Sequence, residues 1–115
     1  MTRMIYHMCP AETWQDAVRA GIYYGTADDA RDGFIHFSTA DQVAESARRH
    51  RAGQPGLVLV AVESARLDAH LKWEPSRGGD LFPHLYGPLD PAETASVRAL
   101  PLGPDGKHVF PALNE

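Results

Sequence analysis

Apolar residues in this chain come in short runs broken by glycine, proline and acidic stretches, and the spacing of each run predicts its element. The strongest is Leu57–Glu63, LVLVAVE, an unbroken apolar run that reads as a strand buried on both faces. Met4–Met8 reads as a short first strand. Pro10 follows, where a helix can open because a first-turn residue needs no amide donor. Over Ala11–Ala20 the helical period puts Trp14, Ala17 and Val18 on one face and Glu12 and Asp16 among the polar positions, with Gly21 placed to end the helix. Ile22–Tyr24 reads as a short strand, Thr26–Gly33 as a polar loop able to border a pocket, and Phe34–Phe37 as the next strand. Thr39 and Gln42 have capping-box spacing and predict a helix to about Arg51, with Val43, Ala44 and Ala47 as its apolar face and a stop at Gly53–Gly56.

Beyond Glu63 the pattern turns to period two. His70–Glu74 alternates, with Leu71 and Trp73 on one side and Lys72 and Glu74 on the other. Pro75–Asp80 is a flexible turn. Leu81–Tyr86 is a strand that Pro83 demotes to a sheet edge or a bulge. Ala95–Leu100 and Lys107–Phe110 read as a last pair around Gly103–Gly106. The order predicts an α+β fold, two helices on a mostly antiparallel sheet.

Composition narrows this little. A chain of 115 residues is one domain by size, with the core over about residues 4–101 and a C-terminal hairpin and tail over 102–115. Its 43% hydrophobic and 23% charged residues are those of a globular protein. A net charge of −4 argues against a nucleic-acid surface. The one basic cluster, Arg48, Arg49, His50 and Arg51, reads as a solvated helix end. A single cysteine, Cys9, and the lack of a leader-like or membrane-length apolar run read as a cytoplasmic protein off the membrane. Self-association stays open, since the tail after Pro101 could dock on a second copy.

Chemistry enters with histidine. His7, His36 and His84 each sit in a strand-like segment, and histidine titrates near neutrality, so three in strands point to a shared cleft as readily as to core or edge residues. Period-two geometry puts His36 on a face with Phe34 and Ser38, His84 with Phe82 and Tyr86, and Glu74 with Lys72. A cleft between such strands would gather His7, His36, His84, Tyr86 and Glu74. Ser38 and Thr39 would stand at a helix N-terminus suited to phosphate. Glu74 ends its strand as a base or a solvated charge. Arg77, Gly78 and Gly79 either close over an anion or make a simple turn. Trp73 and Tyr6 are core aromatics or ligand-stacking ones, and Cys9 lies just before a helix, where a thiolate is stabilised, but no catalytic-cysteine signature accompanies it. Nucleophile-elbow, phosphate-loop, dinucleotide and HExxH motifs are missing, and the histidine spacing matches no compact zinc motif, so a metal-binding module or metal-dependent hydrolase is the weaker reading.

The phrases IYHMCP, GFIHFSTADQV, LVLVAVE and WEPSRGGDLFPHLYGPL resemble the bacterial family called domain of unknown function 952 from about Met4 to Pro101, most specifically in DGFIHFST and FPHLYGPL. That family is similar in fold to the ADP-ribosyltransferases and tRNA 2′-phosphotransferases, which bind NAD in a split-sheet cleft with one triad residue on each of three strands. The resemblance implies an ADP-ribosyltransferase-like fold and NAD, or a related nucleotide or phosphorylated small molecule, as ligand. It puts His7 where such enzymes hold the adenosine-side ribose, and His36 where many have a tyrosine stacking on nicotinamide. His84 falls where the transferases carry a catalytic glutamate. The sequence thus nominates His84, His36 and Glu74 for catalysis and His7, Ser38, Thr39, Tyr86 and Arg77 for ligand binding, with a non-catalytic nucleotide sensor as the alternative to a transferase.

Overall fold

The computed structural model describes residues 3–113, apart from the side chain of Arg77. Seven strands form two antiparallel sheets. The first carries β3 (Ser38–Thr39), β1 (Met4–Pro10), β4 (Leu57–Glu63) and β7 (Ser96–Leu100), side by side in that order. The second carries β2 (Ile35–His36), β6 (Leu81–Leu85) and β5 (Leu71–Pro75). The fold is α+β as the pattern predicts, with three α-helices in place of the expected two: α1 (Ala11–Ala20), α2 (Ala27–Asp32) and α3 (Val43–His50).

Alternation sorts the first sheet into two apolar layers. Ile5, Cys9, Val60 and Val62 face a core closed by Trp14 and Ala17 of α1, by Tyr23, and by Ile35, Leu85 and Leu89. Tyr6, Leu57, Leu59 and Ala61 face the other way, onto Val43, Leu100 and the late residues Phe110 and Leu113. β4 is buried on both faces, as an unbroken apolar run requires. In the second sheet Leu71 and Trp73 turn to the core, which leaves Lys72 and Glu74 on the opposite face.

Several elements differ from their sequence patterns for identifiable reasons. The Thr26–Gly33 segment is a helix, not a loop. The Thr26 hydroxyl accepts from the Asp29 N–H while the Asp29 carboxylate accepts from the Thr26 N–H, and Gly33 closes the helix at φ +88°. Only half of the Thr39–Gln42 box forms, with Gln42 Oε1 accepting the Thr39 N–H, so α3 begins at Val43. Ser38 and Thr39 are therefore strand residues and do not cap a helix. Ser46 joins Val43 and Ala47 on the buried face of α3, whereas Ala44 is exposed. Val18 is likewise 55% exposed, because the core-facing stripe of α1 is only Trp14 and Ala17 wide. Ile22–Tyr24 supplies one isolated bridge, Tyr23 to Leu89.

Pro83 does not push β6 to an edge; β6 is the central strand of its sheet. The Pro83 carbonyl accepts from the Phe37 N–H at 3.0 Å, so the donor that proline lacks would fall beside Phe37, where the chain is leaving this sheet for β3. Lys107–Phe110 does not pair with β7, which lies on β4 instead. The turn at 103–106 forms, and beyond it the chain makes a single bridge, Leu102 to His108. Among the described residues no helix is long and apolar enough to cross a membrane.

Ile5 is fully buried and lies between β3 and β4, opposite Thr39 and Val62. Ile5→Ala should cost about 2–5 kcal/mol in urea unfolding; a loss below about 1 kcal/mol would show that this layer is not the close-packed centre of the core.

Candidate functional site

The change of sheet at Phe37 builds the cleft. β2 pairs with β6 and β3 pairs with β1, so His36 lies next to His84 on one side while His7 approaches from the first sheet. A cavity of about 340 Å3 opens there, and all three histidines line it with Ser38, Phe82, Arg51 and α2.

His36 and His84 are register partners on adjacent strands, their ring centroids 5.7 Å apart. Each is aimed by its own carboxylate. Asp29 Oδ1 lies 2.5 Å from His36 Nδ1 and also accepts the His36 backbone N–H. Glu74 Oε1 lies 2.8 Å from His84 Nδ1 and accepts the Tyr86 hydroxyl at 2.7 Å. Glu74 reaches His84 because it sits diagonally across the β5–β6 ladder, two residues on from the Lys72–His84 pair. Phe34 stacks on the His84 ring at 4.0 Å and touches His36 and Tyr86. His84 is buried and lines the cavity, with Glu74 on its Nδ1.

His7 lines the cavity but is committed within the protein. Its Nδ1 faces the His36 carbonyl at 2.6 Å, and a carbonyl only accepts, so Nδ1 carries the proton. Nε2 then accepts from the Tyr23 hydroxyl at 2.6 Å. The Cys9 thiol shares a hydrogen bond with the same hydroxyl. Burial is the largest influence on all three: it lowers the His7 pKa, raises that of Tyr23, and pushes the Cys9 thiol up to about 11. A thiol so placed is a buried neutral donor, not a nucleophile.

Asp29 joins these parts. Burial pushes its pKa upward, but the His36 hydrogen bond, the nearby His7 ring and the amides of Thr26 and His36 bring it down to about 2. The Asp29 hydrogen bond, opposed by burial and helped by Asp32, raises His36 above its ordinary value. The Tyr86 and His84 hydrogen bonds lower Glu74. The cleft therefore places His36, an imidazole held toward its charged form, one hydrogen bond from His7, which burial holds neutral.

The nominated residues divide. His7, His36, His84 and Ser38 line the cavity, and Glu74 and Tyr86 support His84 from the same sheet face. Thr39 is buried in β3 and does not line it; Ser38 bonds to Ser46 at 3.0 Å. The backbone at Gly78 and Gly79 turns through positive φ, while the Arg77 side chain lies outside the described residues. Tyr6 is a core residue at the cavity wall, and Trp73 packs on the core with Arg3 over its ring. Asp29, Tyr23, Phe34 and Arg51 were not nominated. The Thr26–Asp29 spacing was the signal for Asp29; Tyr23 and Arg51 carry none, because only the fold brings them to the cleft. Among the described residues no group of three or more His, Cys, Asp or Glu side chains is arranged to hold a metal ion.

This fold is shared. The crystal structure of protein CC0527 from Caulobacter crescentus is 43% identical and superposes with a TM-score of 0.89, over 92% of this chain and 93% of that one. The solution NMR structure of CC0527 is 44% identical over 90% of each chain, with a TM-score of 0.82. Residues 8–97 match the family described as protein of unknown function (DUF952), and the chain belongs to that family. No curated protein matches the chain.

Gly25, at φ +97°, is where α2 meets its own entry loop: a Cβ there would stand 2.6 Å from Asp29 Cβ. Gly25→Ala should cost about 1–3 kcal/mol in urea unfolding and, by displacing Asp29, bring the His36 titration seen by NMR back toward 6.5. A variant with wild-type stability and titration would remove Gly25 from the support of Asp29. The histidines also set opposite pH slopes. The contribution of His36, whose pKa is raised, is complete below 6.5 and is lost as pH climbs through its folded value. That of His7, whose pKa is lowered, is complete above 6.5 and is lost on acidification. The stability lost in His36→Asn should therefore be larger at pH 5.5 than at pH 8.5 when unfolded in urea; the reverse order would contradict the Asp29–His36 pairing.

Proposed function

We propose that the cleft binds NAD, or a related nucleotide or phosphorylated small molecule, and acts on it by acid–base chemistry between His36 and His84. One observation carries this reading: two imidazoles face one another across adjacent strands of a cavity, each oriented through Nδ1 by its own carboxylate. In that arrangement His84 Nε2 takes the proton of a ligand hydroxyl or a water, with Glu74 stabilising the imidazolium that forms. His36, held toward its charged form by Asp29, faces the negative charge that develops opposite. His7 acts through its bond to the His36 carbonyl and positions β2. The cavity lies at the small end of ligand pockets, which suits one enclosed nucleotide-sized moiety.

The relation to ADP-ribosyltransferases belongs to the same proposal. The residue on the third strand is His84 and not a glutamate. Glu74 supplies a carboxylate from β5, but it is bonded to His84 and Tyr86. That departure favours one second reading, a nucleotide sensor that keeps the cleft without the transferase reaction.

Titration calorimetry of NAD, with nicotinamide release followed by NMR, separates the two. Saturable binding with slow release, abolished in His84→Ala at unchanged melting temperature, is expected for the enzyme. Binding with no release identifies the sensor, and no binding up to millimolar NAD would overturn both.

A further inference from the structure

Helix α2 holds carboxylates where a helix least favours them. Asp32 is its last residue, at the negative end of the helix dipole, four residues from Asp28 and three from Asp29. Asp32 Oδ2 nevertheless stands 3.1 Å from His36 Nε2, the nitrogen that Asp29 does not use. The other cations at this wall of the cavity are held in the same way. Arg31 Nε lies 3.4 Å from Asp32 and its Nη1 3.3 Å from Asp28, while Arg51 Nη1 is 3.7 Å from Asp28. All six residues line the cavity.

The two kinds of carboxylate differ in how they are held. Asp29 is buried and bonded to two backbone amides, so it is part of the fold. Asp32 and Asp28 are exposed, and ion pairs of that kind contribute little to stability. A phosphate carries up to two negative charges and three acceptor oxygens, against one charge on a carboxylate. It can therefore take over the imidazolium and the Arg31 guanidinium that Asp32 shares, and draw on Arg51, which Asp28 holds at 3.7 Å.

We propose that His36 Nε2, with Arg31 beside it on Asp32 and Arg51 reaching the same cavity wall through Asp28, is the phosphate subsite of the cleft, and that Asp32 is the carboxylate a ligand phosphate displaces. This rests on the reading of the cleft as a site for a phosphorylated ligand and adds where the phosphate lies and what it competes with. Asp32 then sets a charge threshold: a phosphorylated nucleotide displaces it, and the uncharged nucleoside does not.

The test is calorimetric titration of ADP, and of adenosine as the uncharged comparison, into wild type, Asp32→Asn, His36→Gln and Asp16→Asn. Asp16→Asn removes the same charge from the exposed face of α1. Asp32→Asn should bind ADP about fivefold more tightly than wild type, the scale of an exposed ion pair released. Adenosine affinity should be the same in both, Asp16→Asn should behave as wild type, and His36→Gln should lose ADP binding. If wild type binds ADP and Asp32→Asn binds it equally or more weakly, the subsite is overturned and the cleft reading stands. A gain shared by adenosine or by Asp16→Asn overturns the subsite too. Binding of ADP by neither wild type nor Asp32→Asn overturns the subsite together with the reading beneath it.

Discussion

A buried carboxylate that stays ionised is the constraint around which this protein is arranged. Taking the charge of Asp29 out of water is costly unless donors replace the lost hydration. Here the backbone of Thr26, the backbone of His36 and the His36 ring provide them, with His7 3.8 Å away. The donors come from two places in the chain, the start of α2 and the strand that follows it, while the neutral His7 ring of β1 stands close by from the other sheet. Asp29 thus sets the angle at which α2 meets β2, and through β2 the face that His36 presents to the cleft. Few substitutes exist at that position, since a shorter, longer or neutral side chain leaves buried donors without an acceptor.

A second buried network sits behind the first and is of another kind. Cys9, Tyr23 and His7 form a neutral chain that ends on the His36 carbonyl. Burial favours the uncharged form of every member, which suits a scaffold that must not change with small shifts in pH. The charged pair and the neutral chain meet at His36, one through its ring and the other through its backbone. His7 and His36 therefore lie within one hydrogen bond of each other yet differ in their response to protons.

Legibility from sequence followed the physics of each element. β4 could be read to the residue because a run apolar at every position has one good solution, burial on both faces. The alternation around His84 and Glu74 likewise placed both on the cleft face, since period two survives folding. Helix α2 was missed because ADDARD has no apolar stripe, and its start lies in the polar Thr26–Asp29 box. Pro83 misled for a related reason: whether a missing donor matters depends on the neighbouring strand, and that strand ends there. Asp29 and Asp32 looked alike in the sequence. Only the fold separates the one that is structural from the one at the rim.

The last stretch of the chain has a consequence of a different order. Phe110 and Leu113 lie on the layer formed by Tyr6, Leu59 and Leu100, and His108 Nε2 bonds to the Gln54 carbonyl near the start of β4. The match to the family ends at residue 97, short of all three. What defines membership of the family and what covers this apolar layer thus lie in different segments. A polypeptide cut after residue 97 would keep every residue that lines the cleft, and would present a bare apolar sheet face to the next molecule.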